Sequence, residues 1–483
     1  MGTSRLDLDD RLGDAIERVV RRHHRRRLAR IGQERAFAQE AGGWAESGAF
    51  RPHRGVASEL LVDGAEALPR IASEIEAARS HVHVAGWTFT PGLLLGDGGP
   101  ILGELLADTA ERVPVRVLAW AGAPVPLFHP DRGEVRSMRD ELVGGSRIEA
   151  RLDAKERPMH CHHEKLVVVD DCVAFVGGID LTSFAGKRLD DSHHRPRGSM
   201  GWHDACLRLE GPVVADVAEH FRLRWRETGG TVDDTPAGGA PHGAGVEAQL
   251  VRTVPEHIYD GLPKGEFTIL ESYLRALREA ERLVYLESQF LWSSEVVSIL
   301  AEKLRRPPSD AFRLVVLLPA RPNNGADDTR GQLGVLADAD HESGDATSRF
   351  LACTLYQPGR GGRSVYVHAK IGIIDDRWLT VGSANLNEHS FFNDTEVNVV
   401  VRDEELARAA RLRLWSEHLE RPADEIAGDP TQLVDEVWRP LAEEQLERRR
   451  KDNWSPHRLT LLPHVSRRVN AIWGPLNGLV VDG

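Results

Sequence analysis

The chain has 483 residues, which is long enough for two or more domains. Of these residues 28% are charged and 41% hydrophobic, as in soluble globular proteins. The formal net charge of −13 argues against a nucleic-acid partner, because phosphate backbones bind basic surfaces, although a local basic groove stays compatible with the sequence. Four cysteines without paired spacing argue against a disulfide framework and favour a reducing compartment.

Residues 1–56 are predicted to form a charged helical segment, rich in arginine between Arg18 and Arg30. Two interpretations stay open: a basic surface that binds anionic lipid, or a solvated helix with little apolar face. The first residues contain no apolar core of a secretion signal, and no apolar stretch of the sequence is long enough to span a bilayer.

Residues 57–228 are predicted to form a first α/β half, because stretches with strand and helix character alternate along it. Predicted helices cover residues 64–78, 100–112 and 213–228, and predicted strands cover residues 81–87, 115–120, 166–169, 173–176 and 205–209. A polar loop at residues 184–201 is expected at the mouth of a site. Trp87 and Trp120 are compatible with a pocket lining and equally with the core.

Residues 229–245 are rich in glycine, alanine and proline and are predicted to be a linker. A second α/β half is predicted at residues 246–425, and a tail packed on that half at residues 426–483. Its predicted helices cover residues 268–280 and 404–420, and its strands residues 248–253, 283–290, 312–318, 371–374 and 378–381. Residues 321–349 are predicted to be a loop, a short helix and a second loop over the cavity.

One short pattern occurs once in each half. Each copy reads His-x-Lys-x4-Asp, followed after six residues by two small residues and then, two positions later, by an acid or amide. The copies comprise His163, Lys165, Asp170, Gly177, Gly178 and Asp180, and His368, Lys370, Asp375, Gly382, Ser383 and Asn385. A single His-x-Lys is compatible with a chance surface pair, whereas two copies with matched spacing favour a catalytic site.

The apolar, β-branched runs after each lysine predict buried strands, on which residues two apart point to the same face. The side chain of each histidine is therefore expected to point to the same face of the strand as that of its lysine. Two imidazoles and two ammonium groups around one cavity suit phosphoryl transfer on a diester, with one imidazole as nucleophile and the other as acid and base, and no metal ion is required. Asp170 and Asp375 have the opposite parity and precede another acid, so they are expected to shape tight turns behind the site.

The run from His160 to His163 contains four metal-ligand residue types in sequence. Successive residues on a strand face opposite sides, so these four side chains cannot converge on one ion without a sharp distortion. We therefore expect no metal ion there.

The two repeated stretches resemble the HKD motifs of the phospholipase D superfamily, and their flanks are similar to phosphatidylcholine-hydrolysing phospholipases D of the eukaryotic type. The resemblance extends roughly from Ala57 to the C-terminus. It implies an α/β fold of two similar halves, each a mixed β-sheet flanked by helices, related by a pseudo-two-fold axis with the active site between them. It also implies a phosphohistidine intermediate, released by water or an alcohol, and no cofactor.

The resemblance further implies roles for individual residues. Catalysis falls to the two motifs, with His163 expected as nucleophile and His368 as acid and base, although pseudo-symmetry leaves that order open; the motif residues are His163, Lys165, His368, Lys370, Asp170 and Asp375. Asn385, Ser383 and Gln289 are expected to bind substrate, Gln289 being equally compatible with a structural hydrogen bond. Asp204 and Glu396 match carboxylates that hold the far nitrogen of a catalytic histidine. The role of Asp180 is open, and His389 replaces the arginine usual in the family, so no role is carried over to it.

Three alternatives stay open: a cardiolipin synthase-like phosphatidyltransferase, a nuclease of the same superfamily, and a catalytically silent lipid-binding protein. Cardiolipin synthases usually carry N-terminal transmembrane helices, which the sequence does not show. The net acidity disfavours the nuclease, and two intact motifs disfavour the silent protein. The expected partners are a phospholipid at a membrane surface and water or an alcohol, and the expected location is the cytoplasm, with peripheral membrane contact.

Overall fold

The computed structural model describes residues 3–125, 128–183, 190–194, 201–232, 238–322, 326–345 and 347–462. Most of the predicted polar loop at residues 184–201 lies outside these ranges, as do part of the predicted linker and the end of the predicted tail. Among the described residues, no helix combines the length and the apolar composition needed to cross a bilayer.

The first half contains eight of the strands in the described residues. They are β1 (His53–Val62), β2 (Val82–Gly86), β3 (Val115–Trp120), β4 (Glu149–Asp153), β5 (Leu166–Val169), β6 (Val173–Gly177), β7 (Gly201–His203) and β8 (Ala205–Glu210). The helices up to this point are α1 (Thr3–Ile31), α2 (Asp63–Glu76), α3 (Leu102–Ala110), α4 (Arg132–Val143) and α5 (Val213–Glu227), with a 3₁₀ turn at Glu34–Phe37.

The second half repeats this alternation. Its strands are β9 (Val246–Val254), β10 (Glu266–Phe267), β11 (Leu283–Glu287), β12 (Arg313–Leu317), β13 (Phe350–Tyr356), β14 (Gly359–Arg360), β15 (Ser364–Val367), β16 (Ile371–Ile374), β17 (Trp378–Gly382), β18 (Glu396–Arg402), β19 (Trp454–Ser455) and β20 (Leu459–Leu461). Its helices are α6 (Thr268–Glu279), α7 (Ser294–Arg305), α8 (Ala326–Glu342), α9 (Glu388–Phe392), α10 (Glu404–Leu419), α11 (Pro430–Leu433) and α12 (Arg439–Asp452), with a π-helical turn at Val434–Trp438 before α12.

The two halves have the same sheet topology. The strand order is β4-β3-β2-β5-β6-β8-β1 in the first half and β13-β12-β11-β16-β17-β18-β9 in the second. In each half the first three strands are parallel, since helices connect them, and the remaining neighbours are antiparallel. The predicted fold of two similar α/β halves related by pseudo-two-fold symmetry is confirmed.

Strand pairing also joins the two halves. The edge strand β1 pairs with β8 of its own sheet and with β9 of the other, both antiparallel. A second junction forms where β15 pairs in parallel with β7, so that Val367 lies opposite His203. These junctions carry the residues just after β15 and β7 to the interface between the halves.

The structure departs from the predicted elements in several places. Residues 326–342 form one helix of 17 residues rather than a short one, because Leu333, Leu336 and Ala339 recur at helical spacing and are fully buried. Strand β4 and helices α4 and α7 were not predicted. Trp120 is fully buried and packs with Trp87 and Cys161, so both tryptophans belong to the core.

Helix α1 lies on the second half through its arginines. Arg27 is buried and binds Glu256 at 2.6 Å, and Arg21 and Arg25 bind Glu295 at 3.1 Å and 2.8 Å. Arg18 and Arg22, by contrast, are exposed. Part of the basic charge of this helix is thus neutralised within the chain, and part faces solvent.

Candidate active site

The two histidine–lysine pairs lie immediately before β5 and β16, the central antiparallel strands of the two sheets. The backbone of each histidine forms a hydrogen bond with the opposite half of the chain. The N–H of His163 donates to the carbonyl of Thr395 at 2.9 Å, and the N–H of His368 donates to the carbonyl of His203 at 2.7 Å. Each catalytic-motif histidine is therefore placed beside the residue that follows its backbone partner, Glu396 in one case and Asp204 in the other.

The imidazoles of His163 and His368 face one another across the interface. Their ring centroids are 6.4 Å apart and their planes meet at 70°. Nδ1 of His163 lies 3.1 Å and 3.2 Å from the two carboxylate oxygens of Glu396, and Nδ1 of His368 lies 2.7 Å from Oδ2 of Asp204. Because a carboxylate engages Nδ1 in each ring, the chemistry falls to Nε2.

Glu396 is fully buried and is held by two hydroxyl groups. Ser390 donates to Oε1 at 2.7 Å, and Ser383 donates to Oε2. The Ser383 hydroxyl also accepts a hydrogen bond from the N–H of Val397 at 3.0 Å. Burial, together with the neighbouring Asp394, raises the pKa of Glu396 to about 8, against the opposing effects of Lys165 and the hydroxyl groups. Ser383, which was expected to bind substrate, thus contacts Glu396.

Asp204 occupies the equivalent position in the other half with a shorter side chain. Its backbone N–H donates to Asp63 at 3.0 Å, and its Oδ1 accepts the N–H of Ala205 at 2.9 Å. A Cβ atom on Gly178 would collide with this carboxylate. The small pair of the first motif therefore leaves room for Asp204, where the second motif supplies the hydroxyl of Ser383.

The two lysines are buried beside their histidines. Lys165 Nζ donates to the carbonyl of His163 at 2.6 Å and lies 3.7 Å from Oδ2 of Asp180. Lys370 Nζ donates to the carbonyl of His368 and to Oε1 of Gln289, the latter at 3.4 Å. Asp180 is thus an ion-pair partner of Lys165.

Gln289 links the second lysine to Asn385. Its Oε1 also accepts from Nδ2 of Asn385 at 3.4 Å, and its Nε2 donates to the hydroxyl of Tyr366 at 2.8 Å. Lys370, Gln289 and Asn385 therefore form one buried polar group next to His368.

Asp170 and Asp375 lie away from this cluster, beyond the four-residue strands β5 and β16. At about 3.3 Å per residue, each is separated from its motif lysine by roughly 16 Å along the strand. Asp170 has a φ of 56° and accepts the N–H groups of Arg79, Ser80 and His81. Asp375 has a φ of 52° and accepts those of Glu281, Arg282 and Leu283. Both aspartates thus fix turns, as their parity predicts.

Aromatic side chains near His368 were not predicted. The Trp202 ring lies 4.8 Å from that of Tyr366 and 5.0 Å from that of His368, measured between centroids. Tyr366 precedes His368 by two residues and Trp202 precedes Asp204 by two residues, so strand parity was the available signal.

The run from His160 to His163 has divergent partners. Nδ1 of His160 lies 3.0 Å from Nδ1 of His389, while His162 lies 3.2 Å from Asp153 and 2.8 Å from the hydroxyl of Thr395. His160 and His162 thus contact different partners, although they are close in the sequence.

Comparison with known proteins finds similarity to phospholipases D and cardiolipin synthases. Residues 273–416 match the family model described as "Cardiolipin synthase, PLD-like domain". Phospholipase D A of Dictyostelium discoideum is 24% identical over 75% of this chain and 36% of its own length. Phospholipase D alpha 1 of Cynara cardunculus is 25% identical over 78% and 68%. The major cardiolipin synthase of Bacillus subtilis is 22% identical over 75% and 71%. The chain thus spans between 36% and 71% of the length of these relatives.

Among solved structures, the phosphatidylserine synthase of Haemophilus influenzae has the same fold. It superposes with a TM-score of 0.50 at 11% identity, over 84% of this chain and 95% of that one. The likeness covers both halves, in agreement with the repeated sheet topology.

Proposed function

Since the chain belongs to the phospholipase D superfamily of phosphodiesterases and phosphatidyltransferases, we propose that it acts as a phospholipase D. The substrate is a phospholipid at a membrane surface, and the protein meets it as a peripheral protein from the cytoplasm. Hydrolysis yields phosphatidate and the free headgroup alcohol, and an alcohol in place of water yields the transphosphatidylation product.

The observation that carries the proposal is the pair of carboxylate-bound imidazoles. A reacting atom can lie about 3–3.5 Å from both Nε2 atoms only if these nitrogens are no more than roughly 6–7 Å apart, so the two rings must be close neighbours. The ring centroids of His163 and His368 are 6.4 Å apart. A phosphorus atom between them is within reach of both, so one ring can attack it while the other exchanges a proton with the leaving oxygen.

In the first step, Nε2 of His163 forms a bond to phosphorus and the bond from phosphorus to the headgroup oxygen breaks. Nε2–H of His368 gives its proton to that oxygen, so the headgroup leaves as an alcohol rather than as an alkoxide. In the second step, water or an alcohol gives a proton to His368 and its oxygen attacks phosphorus. The bond between phosphorus and His163 then breaks, which restores both rings.

The remaining residues of the site support these steps. The ammonium groups of Lys165 and Lys370 and the amide of Asn385 hold the non-bridging oxygens as negative charge builds up on them. Gln289 positions Lys370 and Asn385. Asp204 keeps a proton on Nδ1 of His368 and stabilises its imidazolium form. Glu396 holds the ring of His163 through Nδ1, and Ser383 positions Glu396. Asp170 and Asp375 act only through the turns that they fix.

The test is formation of phosphatidylethanol from phosphatidylcholine vesicles in the presence of ethanol. The wild type is expected to form it, and His163→Ala is expected to form none at the same folded concentration. Asp170→Asn is the matched control, because it alters the same motif outside the cluster. If the folded wild type forms no product from phosphatidylcholine, phosphatidylethanolamine, phosphatidylglycerol or phosphatidylserine, the proposal is overturned.

A cardiolipin synthase-like phosphatidyltransferase is the second candidate, supported by the description of the matched family and by the Bacillus subtilis relative. It uses the same two histidines and differs in the acceptor, which is the alcohol of a second phospholipid. Cardiolipin formation from phosphatidylglycerol vesicles without added ethanol, in place of phosphatidate, distinguishes this activity from hydrolysis.

A further inference from the structure

A second cluster of titratable side chains lies behind His368. It consists of Asp63 at the start of α2, His194, His203 at the end of β7, and Glu417 in α10. All four are buried, and one ligand-type atom from each lies within 4.8 Å of the others. Three of them belong to the first half and Glu417 belongs to the second, so the cluster spans the interface.

The distances between these atoms match the edges of a tetrahedral metal site. Nδ1 of His203 lies 3.1 Å from Oδ1 of Asp63 and 3.5 Å from Oε1 of Glu417. Nε2 of His194 lies 3.2 Å from Oε1 of Glu417 and 3.8 Å from Oδ2 of Asp63. Metal–ligand bonds of about 2.0–2.2 Å in a tetrahedron place neighbouring ligand atoms roughly 3.3–3.6 Å apart. These four pairs lie within a few tenths of an ångström of such edges, and because Asp63 presents a different oxygen to each histidine, its carboxylate must turn or bind through both oxygens to hold an ion at the centre.

The outer partners follow the pattern of metal-bound histidines, in which the second ring nitrogen binds a carboxylate. Nδ1 of His194 lies 3.3 Å from Asp190, and Nε2 of His203 lies 2.9 Å from Glu287. Each ring thus directs one nitrogen to the cluster and the other to an outer carboxylate. Oε2 of Glu417 accepts a hydrogen bond from Arg413 at 2.9 Å, which leaves Oε1 for the cluster.

One atom of the cluster is not satisfied by hydrogen bonds. Oδ2 of Asp63 is buried and has no hydrogen-bond partner. A carboxylate oxygen removed from water without a partner is costly, and a cation supplies the missing interaction. Asp63 also holds a φ of 63°, a conformation that non-glycine residues rarely adopt. Nε2 of His194, at 3.8 Å, lies beyond hydrogen-bonding distance of Oδ2 of Asp63.

We propose that Asp63, His194, His203 and Glu417 bind one divalent transition-metal ion, with zinc as the preferred metal. Two imidazoles and two carboxylates in tetrahedral array suit zinc, and four protein ligands leave no open position for substrate, so the site is structural. Its effect on the active site is indirect. The carbonyl of His203 accepts the N–H of His368, and Asp63 accepts the N–H of Asp204. The ion therefore fixes the segment that presents Asp204 to His368.

The test is the metal content of the full-length protein, expressed with added zinc, purified by gel filtration and measured by plasma mass spectrometry. About one zinc per chain is expected in the wild type, and at least about tenfold less in His194→Leu and Glu417→Gln. His24→Leu is the matched control, because His24 is also a buried histidine but lies outside the cluster. It is expected to retain the wild-type content.

Cobalt replacement gives a readout that does not depend on activity. Metal-stripped wild type and His24→Leu are expected to show the intense visible absorption of tetrahedral Co²⁺ on titration with the ion, and His194→Leu is expected to show none. If either variant fails to fold, the wild-type titration still decides. Absence of zinc and of the tetrahedral cobalt bands in the folded wild type, or equal metal content in wild type and cluster variants, would overturn the proposal.

Discussion

Nδ1 of His368 lies 2.7 Å from Oδ2 of Asp204, and these two residues belong to opposite halves of the chain. His163 and Glu396 repeat the relationship in the other direction. Each half therefore supplies one imidazole to the site and the carboxylate that orients the imidazole of the other half. The candidate site therefore lies at the interface, and neither half contains both a motif histidine and the carboxylate that it contacts.

Replacing Asp204 by Asn is expected to lower kcat by about 10²–10⁴-fold with little change in KM, because the imidazolium form of His368 loses its counter-charge. Steady-state kinetics on a soluble short-chain phospholipid measure both constants. Asp170→Asn makes the same chemical change outside the cluster and should retain kcat. A folded Asp204→Asn protein with a kcat close to that of the wild type would contradict the assigned role.

The order of the two histidines can be read from a trapped intermediate. With a phosphodiester that has a nitrophenol leaving group, the first step needs little help from an acid, whereas the second step still needs a base. His368→Asn is therefore expected to release one burst of nitrophenol and to retain an acid-labile phosphoryl group on the peptide that contains His163. His163→Asn should retain none. Phosphoryl transfer to His368 in the His163 variant would reverse the roles.

The raised pKa of Glu396 makes the stability depend on pH. Below the ordinary value of 4.5, the carboxyl is protonated in the folded and the unfolded chain, and its burial costs little. As the pH rises towards about 8, the unfolded chain ionises first, so the free energy of unfolding decreases. Glu396→Gln removes this penalty.

The Gln variant is thus expected to be more stable than the wild type at pH 8, by on the order of a few kcal/mol, because one unit of pKa shift corresponds to about 1.4 kcal/mol. At pH 4.5 the two proteins should be nearly equal. Urea denaturation at both pH values measures the difference, and a gain that does not depend on pH would count against the pKa assignment.

Asp375→Ala is expected to reduce the free energy of unfolding by about 1–3 kcal/mol, because three backbone N–H groups lose their acceptor and alanine disfavours a positive φ. Asp375→Asn should lose less, since its side chain keeps an oxygen acceptor and tolerates that φ. Denaturant titration measures both, and kcat should change little. If folded Asp375→Ala lost as much kcat as Asp204→Asn, Asp375 would instead have a direct role in the reaction.

Local patterns in the sequence were enough to predict the strands Leu166–Val169 and Ile371–Ile374 and the two similar halves. The resemblance to the family also suggested Asp204 and Glu396 as carboxylates for the histidines. Which carboxylate serves which histidine could not be read from spacing, because the crossing depends on the pairing of β15 with β7. Short-range patterns cannot show such a contact between distant segments.

The contacts of Ser383 and of the proposed metal cluster also join distant segments and could not be predicted from short-range patterns. Ser383 was expected to bind substrate, and its hydrogen bond to the carboxylate of Glu396, 13 positions away, was not predicted. Asp63 and Glu417 are separated by most of the chain and carry no shared spacing. Helix α8 was underestimated because its polar residues outnumber the few buried apolar ones.

The crossed pairs also limit when the site can form during synthesis of the chain. His163 and Glu396 are 233 positions apart in the chain. At about 5–20 residues per second, a ribosome needs roughly 12–47 s to add the residues that separate them. Throughout that interval the nascent chain presents a histidine without its carboxylate and a phosphate site without its second lysine. The proposed site can therefore assemble only after most of the protein has left the ribosome.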